Sequence, residues 1–228
     1  MITIEQWTFK SLNKVDEMDI EKQKIIQSDK MMNDTLNTII SRRSVRMFTD
    51  KQVCDEDLRL ILDAANHAPS AHNQQSWRFI VLRETSKNEL AKFVNSKAND
   101  FPRPSSTLLR MASRSIVSAP VVIAVANTGK LISHGTELFK VDRDQAYDFF
   151  RVMEIQSSAA AVENLLIASA SLGLSSVWLG VLVLIKNEVL QFLQEPEGEF
   201  MAVIPVGYAA QQNFGPKKQP LDAIVKYM

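Results

Sequence analysis

Three arginines lie within five residues in the segment Arg42-Arg43-Ser44-Val45-Arg46. Guanidinium groups at this spacing repel one another, so the segment needs a compensating anion. Arginine is suited to bidentate contacts with phosphate, and the Ser44 hydroxyl can donate one further hydrogen bond. The alternative is a solvated basic turn that pairs with nearby acids such as Asp50 or Asp55. Taken alone, the cluster favours the solvated turn, because surface charge clusters usually contribute little.

A second polar segment runs from Ala68 to Trp77, directly before a predicted strand. A loop that a rigid strand positions often holds a ligand. The side chains of Asn73 and Gln75 offer donors and acceptors together, which suits a heterocycle with carbonyl and N–H edges. The alternative is an Asx-type turn in which Asn73 bonds its own backbone, and the loop by itself favours this interpretation.

Two weaker features follow later in the chain. Gly180 comes after the apolar stretch Val177-Trp178-Leu179, where a residue without a side chain lets a ligand approach the backbone. Lys217 and Lys218 form a second basic spot between two prolines near the C-terminus. A solvated tail is the simpler interpretation of that spot.

Composition and missing motifs exclude several classes of protein. The 228 residues carry 26 basic and 26 acidic side chains, so the balanced charge argues against a protein that coats nucleic acid. The longest apolar run is too short for a membrane span, and the N-terminus does not resemble a signal peptide. No dinucleotide-binding glycine motif, P-loop or hydrolase elbow occurs. With three dispersed histidines and only Cys54, we expect no metal site and no internal disulfide. A soluble cytoplasmic protein is expected.

Apolar periodicity predicts a polar arm over residues 1–35 and one folded domain over residues 36–228. Helices and strands alternate in that domain, which indicates an α+β or α/β fold. The expected helices begin with one that Asp55 caps and one that a Ser86/Glu89 capping box starts. Further helices are expected at about 106–117, between Asp142 and Leu172, and at about 186–193. Strands are expected at Trp77–Leu82, over VVIAVAN (121–127), within LSSVWLGV (174–181) and FMAVIPVGY (200–208), and in the strand-like LDAIVKY (221–227).

Taken together and in order, these segments resemble the nitroreductase family of flavoproteins. The similar blocks are SRRSVRMFTDKQV, APSAHNQQSWRFIVL, LSSVWLGV, VIPVGYAA and PKKQPLDAIV. The resemblance covers the chain from about Arg42 onwards. It implies an α+β fold with a central, mostly antiparallel sheet flanked by helices, in an intertwined homodimer. The small-residue helix around Ala159–Ala170 is then expected at the subunit interface, and LDAIVKY is expected to pair with the partner's sheet.

The resemblance also implies a role for each candidate residue in binding FMN. Arg42 matches a phosphate-contacting arginine, Arg43 and Ser44 match ribityl-phosphate positions, and Lys217 matches a tail lysine on the phosphate. Lys218 is expected to supply a second tail charge, because Gln219 stands where many relatives carry arginine.

At the ring end of the cofactor, the resemblance places Arg46 near N1 and the C2 carbonyl. Pro69, Ser70 and Asn73 match a loop that reaches the flavin of the other subunit. Leu179 and Gly180 match positions whose backbone N–H groups face N5 and the C4 carbonyl. Arg46, Leu179 and Gly180 are therefore the expected catalytic residues. Arg110 and Arg114 are candidates for one further contact to the flavin edge.

The activity implied is FMN-dependent NAD(P)H oxidation by a ping-pong cycle, with hydride transfer through flavin N5. The electron acceptor would be a nitroaromatic, a quinone or a related conjugated electrophile. Two alternatives stay open. One is a different reaction on the same flavin site, such as dehalogenation, flavin cleavage or dehydrogenation, and the other is a non-catalytic flavin-binding protein. The expected partners are a second copy of the chain and a small-molecule acceptor, without nucleic acid or membrane.

Overall fold

The computed structural model describes residues 33–139, 142–195, 197–211 and 215–228. Almost all of the predicted arm, residues 1–35, lies outside the described residues. The chain divides into two compact units between Ser41 and Arg42. The described part of the first unit is one helix, α1 (Asp34–Ser41), whose first turn is capped by the Asn33 side chain, which accepts a hydrogen bond from the Leu36 N–H at 3.0 Å. The boundary expected at residue 35 stays a prediction.

A four-stranded antiparallel sheet is the centre of the second unit. Its strands are β1 (Trp77–Arg83), β2 (Val121–Asn127), β3 (Ser175–Ser176) and β4 (Glu199–Gly207), in the order β1-β2-β4-β3. The predicted strands at the positions of β1, β2 and β4 are confirmed. The strand expected over LSSVWLGV (174–181) is confirmed only at Ser175 and Ser176, which form β3. Beyond them the Val177 and Leu179 N–H groups still donate to β4, at 3.4 and 3.0 Å, but they do not continue the ladder.

Six α-helices surround this sheet among the described residues, so the expected α+β fold is confirmed. They are α2 (Asp55–Asn66), α3 (Glu84–Lys97), α4 (Ser105–Ser118), α5 (Lys130–Phe139), α6 (Arg143–Ser171) and α7 (Lys186–Phe192). Short 3₁₀ turns occur at Ala71–Asn73, Ala98–Asp100, Gly180–Ile185 and Leu221–Ala223. No helix in the described part of the chain has the length and apolar character needed to cross a membrane.

The sheet is covered on both faces, which explains why β2 is an uninterrupted apolar run. Every residue of β2 is buried. Successive strand residues point to opposite faces, so Val122 and Ala124 pack with α3 and α4, whereas Ile123 and Val125 pack with α2 and α6. Fully burying a valine or isoleucine side chain contributes about 1.5–3 kcal/mol, which makes this three-layer packing the main source of stability.

Two predicted helix starts differ from the structure. Cys54, not Asp55, is the N-cap of α2, and its sulfur accepts a hydrogen bond from the Asp57 N–H at 3.4 Å. The helix that was expected to start at Ser86 begins at Glu84, with Arg83 as its N-cap. Ser86 is the third helical residue, and its hydroxyl accepts from the Arg83 N–H at 3.1 Å. A capping box therefore forms at this helix start, but Ser86 is its third helical residue and not the N-cap that the sequence predicted.

The long helix is where the sequence places it, since Asp142 caps α6 and Gly173 follows it with φ of +73°. The C-terminal segment differs from its prediction. Within the chain, LDAIVKY (221–227) forms a 3₁₀ turn over Leu221–Ala223 instead of a strand, and the last eight residues are exposed. Pairing with a partner's sheet stays a prediction.

Candidate functional site

The arginine-rich segment runs across the end of the sheet as an extended strap. The Val45 N–H donates to Ser176 O at 3.1 Å, which ties the strap to β3. Further along, the Thr49 N–H donates to Tyr208 O at 2.8 Å, just beyond the end of β4. Val45 and Phe48 are buried, while Arg46 and Met47 are exposed. The two backbone hydrogen bonds and the two buried side chains fix the strap, and the Arg46 side chain is turned away from the core.

Arg42 lies at the start of this strap with part of its guanidinium buried. Its Nε atom is removed from solvent and has no hydrogen-bond partner. Its one ion pair with a residue that the structure describes is with Glu163 on α6, at 3.9 Å between Nε and Oε1, and the Glu163 side chain is 48% exposed. A contact this long, to a carboxylate this exposed, compensates the guanidinium weakly. Arg42 therefore keeps capacity for a second anion.

The neighbouring strap residues are held differently from Arg42. Arg43 donates from Nη1 to the Arg42 carbonyl at 2.9 Å. Ser44 forms an isolated parallel bridge with Ser176. Arg46 is exposed and makes no ion pair with any residue that the structure describes. The strap thus presents one half-buried arginine, one arginine anchored to backbone, and one with an unengaged charge.

The basic tail returns to the same strap. Gly215 has φ of +63°, and a Cβ atom placed on it would lie 2.9 Å from Arg43 Cδ and 3.1 Å from Arg43 Nε. The backbone of the tail therefore packs directly on Arg43, two residues before Lys217. Lys217 and Lys218 are both exposed. The structure brings the two basic segments of the sequence, more than 160 positions apart, to one place.

The polar loop before β1 has an unusual backbone. His72, Asn73 and Gln75 have φ of +53°, +53° and +48°, in the left-handed region that few residues other than Gly, Asn, Asp and His adopt. Each such residue carries a strain of about 1–3 kcal/mol, and strain of this kind clusters at binding sites. Pro69 is exposed and Ser70 is half-buried.

Hydrogen bonds hold this loop in its strained form. The Ser70 hydroxyl accepts from the Gln75 N–H at 3.1 Å, and Asn73 Oδ1 accepts from Gln75 Nε2 at 2.9 Å. The Asx-type alternative, in which the Asn73 side chain bonds its own backbone, is therefore not what the structure has. The Ala71 N–H donates to the Ser157 hydroxyl of α6 at 3.1 Å, which anchors the loop to the core.

The expected role of the Leu179 N–H is wrong for this chain. That N–H donates to Val203 O of β4 at 3.0 Å, so it is not available to a ligand. The Leu179 backbone, at φ of −85° and ψ of 74°, forms a tight turn in which the Gly180 N–H donates back to Trp178 O at 3.1 Å. Gly180 is exposed, and a Cβ placed on it meets nothing within 4 Å. A ligand could therefore approach the Gly180 backbone, and its contact with the flavin stays a prediction.

The two arginines of α4 do not form an obvious site. Arg110 donates from Nη2 to Asn99 Oδ1 at 2.9 Å, so its head group lies at the connection between α3 and α4. Arg114 is exposed. Among the described residues, no group of three or more His, Cys, Asp or Glu side chains is arranged to hold a metal ion.

Two glutamates of α6 were missed as site residues. Glu163 is the partner of Arg42, and its signal was visible in the sequence, because it is the single charge in the stretch 157–174. Glu154 is buried, with 1% exposure, and its Oε1 accepts from the Leu131 N–H at 3.2 Å. Burial raises the pKa of Glu154, and the nearby Leu131 N–H, Ser76 hydroxyl and Gly129 N–H oppose that rise only in part. No sequence pattern separates this glutamate from the exposed acids of α6.

Comparison with known proteins decides the family. The Nitroreductase family matches residues 39–208, which include the strap, the strained loop and the Gly180 turn. The chain belongs to the nitroreductase family. A protein of Archaeoglobus fulgidus, provisionally named an NADH dehydrogenase/NAD(P)H nitroreductase, is 35% identical over 187 residues. The match covers 80% of this chain and 89% of the relative.

Solved structures of other proteins share the fold. B. megaterium NfrA2 has a TM-score of 0.69 at 21% identity, with 86% of this chain and 74% of that chain covered. A protein of Desulfovibrio desulfuricans, provisionally named a nitroreductase and solved in complex with FMN, has a TM-score of 0.63. It is 28% identical, with 87% of this chain and 99% of that chain covered. The resemblance of the sequence to this family is confirmed.

Proposed function

We propose that this nitroreductase-family chain is an FMN-dependent NAD(P)H oxidoreductase that reduces a nitroaromatic, a quinone or a related conjugated electrophile. The names of the relatives support NAD(P)H as the reductant and FMN as the cofactor. Within the chain, the observation that carries the proposal is the half-buried Arg42, with its unpartnered Nε, at the place where the tail packs on the strap.

The strap and the tail fit the phosphate end of FMN. A phosphate monoester carries a charge between about −1.5 and −2 at neutral pH and accepts several hydrogen bonds. Among the described residues, Arg42 is compensated by one long contact, to Glu163. Lys217 and Lys218 are exposed and follow Gly215, whose backbone packs on Arg43. These cations would hold the phosphate by charge-assisted hydrogen bonds. The residues present therefore fit the group.

Arg46, Gly180 and the strained loop would contact the ring end of the cofactor. FMN supplies the redox chemistry when bound, and the protein supplies placement and charge. Arg46 is exposed and makes no ion pair with the described residues. Its positive charge would stabilise the negative charge that the flavin ring gains on reduction. Pro69, Ser70 and Asn73 would contact the cofactor from a second subunit.

The proposal includes a homodimer in the cytoplasm with two cofactor sites. The α6 helix carries small, half-buried residues between Ala159 and Ala170, and it exposes the larger Tyr147, Phe149 and Val152 by 48–59%. An apolar surface of this kind on the longest helix is consistent with a subunit interface. The C-terminal residues 221–228 are exposed in the single chain and are free to pair with a partner.

The decisive experiment is to purify the protein without added flavin and record its visible spectrum before and after incubation with FMN. We expect an oxidised-flavin spectrum and stoichiometric binding, followed by bleaching with NADH or NADPH and recovery with a nitroaromatic or quinone. Parallel double-reciprocal plots would support the ping-pong order. A colourless protein that FMN cannot reconstitute would refute the proposal. Tight FMN binding with negligible reduction by either nicotinamide would favour the non-catalytic alternative.

A further inference from the structure

Buried polar side chains are concentrated behind the strained loop that precedes β1. Half of the buried polar residues in the described part of the chain lie there, and each is at most 8% exposed: Ser76, Asn127, Glu154, Ser157 and Ser158. Removing a polar group from water is unfavourable unless the group is paired. A concentration of such groups at one place in the core therefore needs a reason beyond packing.

One face of α6 contributes three of these residues. Ser157 and Ser158 follow Glu154 by three and four positions, so the three side chains are neighbours on the helix surface. The Ser158 hydroxyl donates to Asn127 Oδ1 at the end of β2. Glu154 Oε1 accepts from the Leu131 N–H at the start of α5, at 3.2 Å. This polar face of α6 thus holds the backbone elements on either side of the loop's end.

The same face holds the strained loop at two points. Near the start of the loop, the Ala71 N–H donates to the Ser157 hydroxyl at 3.1 Å. At its end, the Ser76 hydroxyl lies beside the Glu154 carboxylate. The Ser76 carbonyl accepts from the Thr128 N–H at 2.9 Å, which fixes the backbone at this second anchor.

The strain in the loop lies between these two anchors. The three residues with positive φ, which are His72, Asn73 and Gln75, all fall there. The hydrogen bonds that the structure describes for residues 72–75 stay within residues 70–75. Backbone in a sparsely populated region persists only where the surrounding structure holds it. The contacts with α6 supply that constraint from outside the loop.

We infer that Ser157 and Glu154 are positioning residues, which hold the loop in the shape that contacts the flavin of the second subunit. The inference rests on the proposed function, in which Pro69, Ser70 and Asn73 contact the partner's cofactor. Both α6 side chains are buried, so they act through the loop. A loop that is held in its binding shape beforehand does not have to be ordered when the cofactor binds, which strengthens binding.

The test begins with Ser157→Ala, for which Ser169→Ala is the matched control. Both serines are buried on α6, and each donates to the carbonyl four residues earlier, at 2.7 Å for Ser157 and 2.8 Å for Ser169. Of the two, Ser157 also accepts from the loop. In FMN titrations of the apoproteins, Ser157→Ala should raise the dissociation constant about fivefold, the effect of one lost hydrogen bond. Ser169→Ala should bind FMN as the parent does.

Glu154→Gln is the second variant, and it keeps the inference testable if Ser157→Ala does not fold. Glutamine preserves the shape of the side chain and one carbonyl acceptor for the Leu131 N–H. Its amide group puts a donor where the carboxylate faces the Gly129 N–H and the Ser76 hydroxyl. The second anchor is thereby weakened, so Glu154→Gln should also weaken FMN binding. A thermal melt of each apoprotein identifies any variant that is not folded.

Mixed dimers separate an effect on the loop from a general loss of structure. A dimer of one Arg42→Ala subunit and one Ser157→Ala subunit can be isolated with two different affinity tags. If the strap and the loop of each site come from different subunits, one site carries both defects and the other carries neither. We expect one of the two sites to bind FMN with the parental dissociation constant. If Ser157 merely stabilised its own subunit, neither site would bind as the parent does.

Three results would overturn the inference. They are parental FMN affinity in both folded variants, an equal loss in Ser169→Ala, and a mixed dimer without a parental site. FMN binding by the parent alongside any of them would leave the proposed function standing. A parent protein that binds no FMN would refute the proposed function and, with it, the positioning role.

Discussion

Replacing Arg42 by alanine should release FMN while leaving the fold intact. The Arg42 side chain is 23% exposed and its Nε is buried without a partner, so in the absence of a ligand it contributes little beyond the long contact to Glu163. A hydrogen bond to a charged group is worth about 1.5–3 kcal/mol. We therefore expect the dissociation constant for FMN to rise by about 10- to 150-fold.

A second variant tests the same contact, because Glu163 would compete with the FMN phosphate for Arg42. Glu163 lies 3.9 Å from Arg42 Nε and is about half exposed, so their pair is worth at most about 1 kcal/mol. Glu163→Gln removes a negative charge next to the proposed phosphate position. It should tighten FMN binding, by no more than about fivefold. Opposite signs for the two variants are the signature of a phosphate at Arg42.

The assay is fluorescence titration of apoprotein with FMN at low and physiological salt, together with a thermal melt of each apoprotein. Arg59→Ala, at an exposed position of α2, is the matched control and should bind FMN as the parent does. If Arg42→Ala retains FMN as tightly as the parent, the assignment of the strap to the phosphate is wrong. A melt of the Arg42→Ala apoprotein well below that of the parent would show a structural role instead.

Three further predictions test other parts of the structure. Gly215→Ala should weaken FMN binding without unfolding the protein, because a Cβ there lies 2.9 Å from Arg43 Cδ and forces the tail away from a φ of +63°; FMN titration and a thermal melt separate the two effects. Gly135→Ala should destabilise the protein although alanine favours helices by about 1 kcal/mol, because its Cβ would lie 2.4 Å from the Phe150 ring; urea unfolding, with Ser133→Ala as the control, should show a net loss of about 1–2 kcal/mol. Glu154→Gln should gain stability relative to the parent as pH rises. Burial raises the pKa of Glu154 above 4.5, so the folded parent holds a proton that the unfolded chain releases, and the stability of the parent falls from about pH 4.5 up to the folded pKa. Urea unfolding across that range would contradict the reasoning if the difference between Glu154→Gln and the parent stayed constant.

Local patterns were reliable where a single physical signal dominates. The apolar run 121–127 and the small-residue helix ending at Gly173 follow from burial and from glycine at a left-handed position. Helix starts were less reliable, because Cys54 and Arg83 are weak caps by type and the tertiary structure selected them. The ladder expected beyond Ser176 is not completed, because Val177 donates to the carbonyl of Pro205, and a proline has no N–H to return the bond.

The order and types of residues were enough to determine the α+β class, the family, and the two basic segments that form the proposed phosphate site. They carry that information because apolar period, glycine position and charge are properties of short stretches of chain. Only the tertiary structure decided that Gly215 packs on Arg43, that Glu163 opposes Arg42, and that Glu154 is buried against the Leu131 N–H. Such relations join residues far apart in sequence, and a short stretch of chain does not encode which distant partner will cover it.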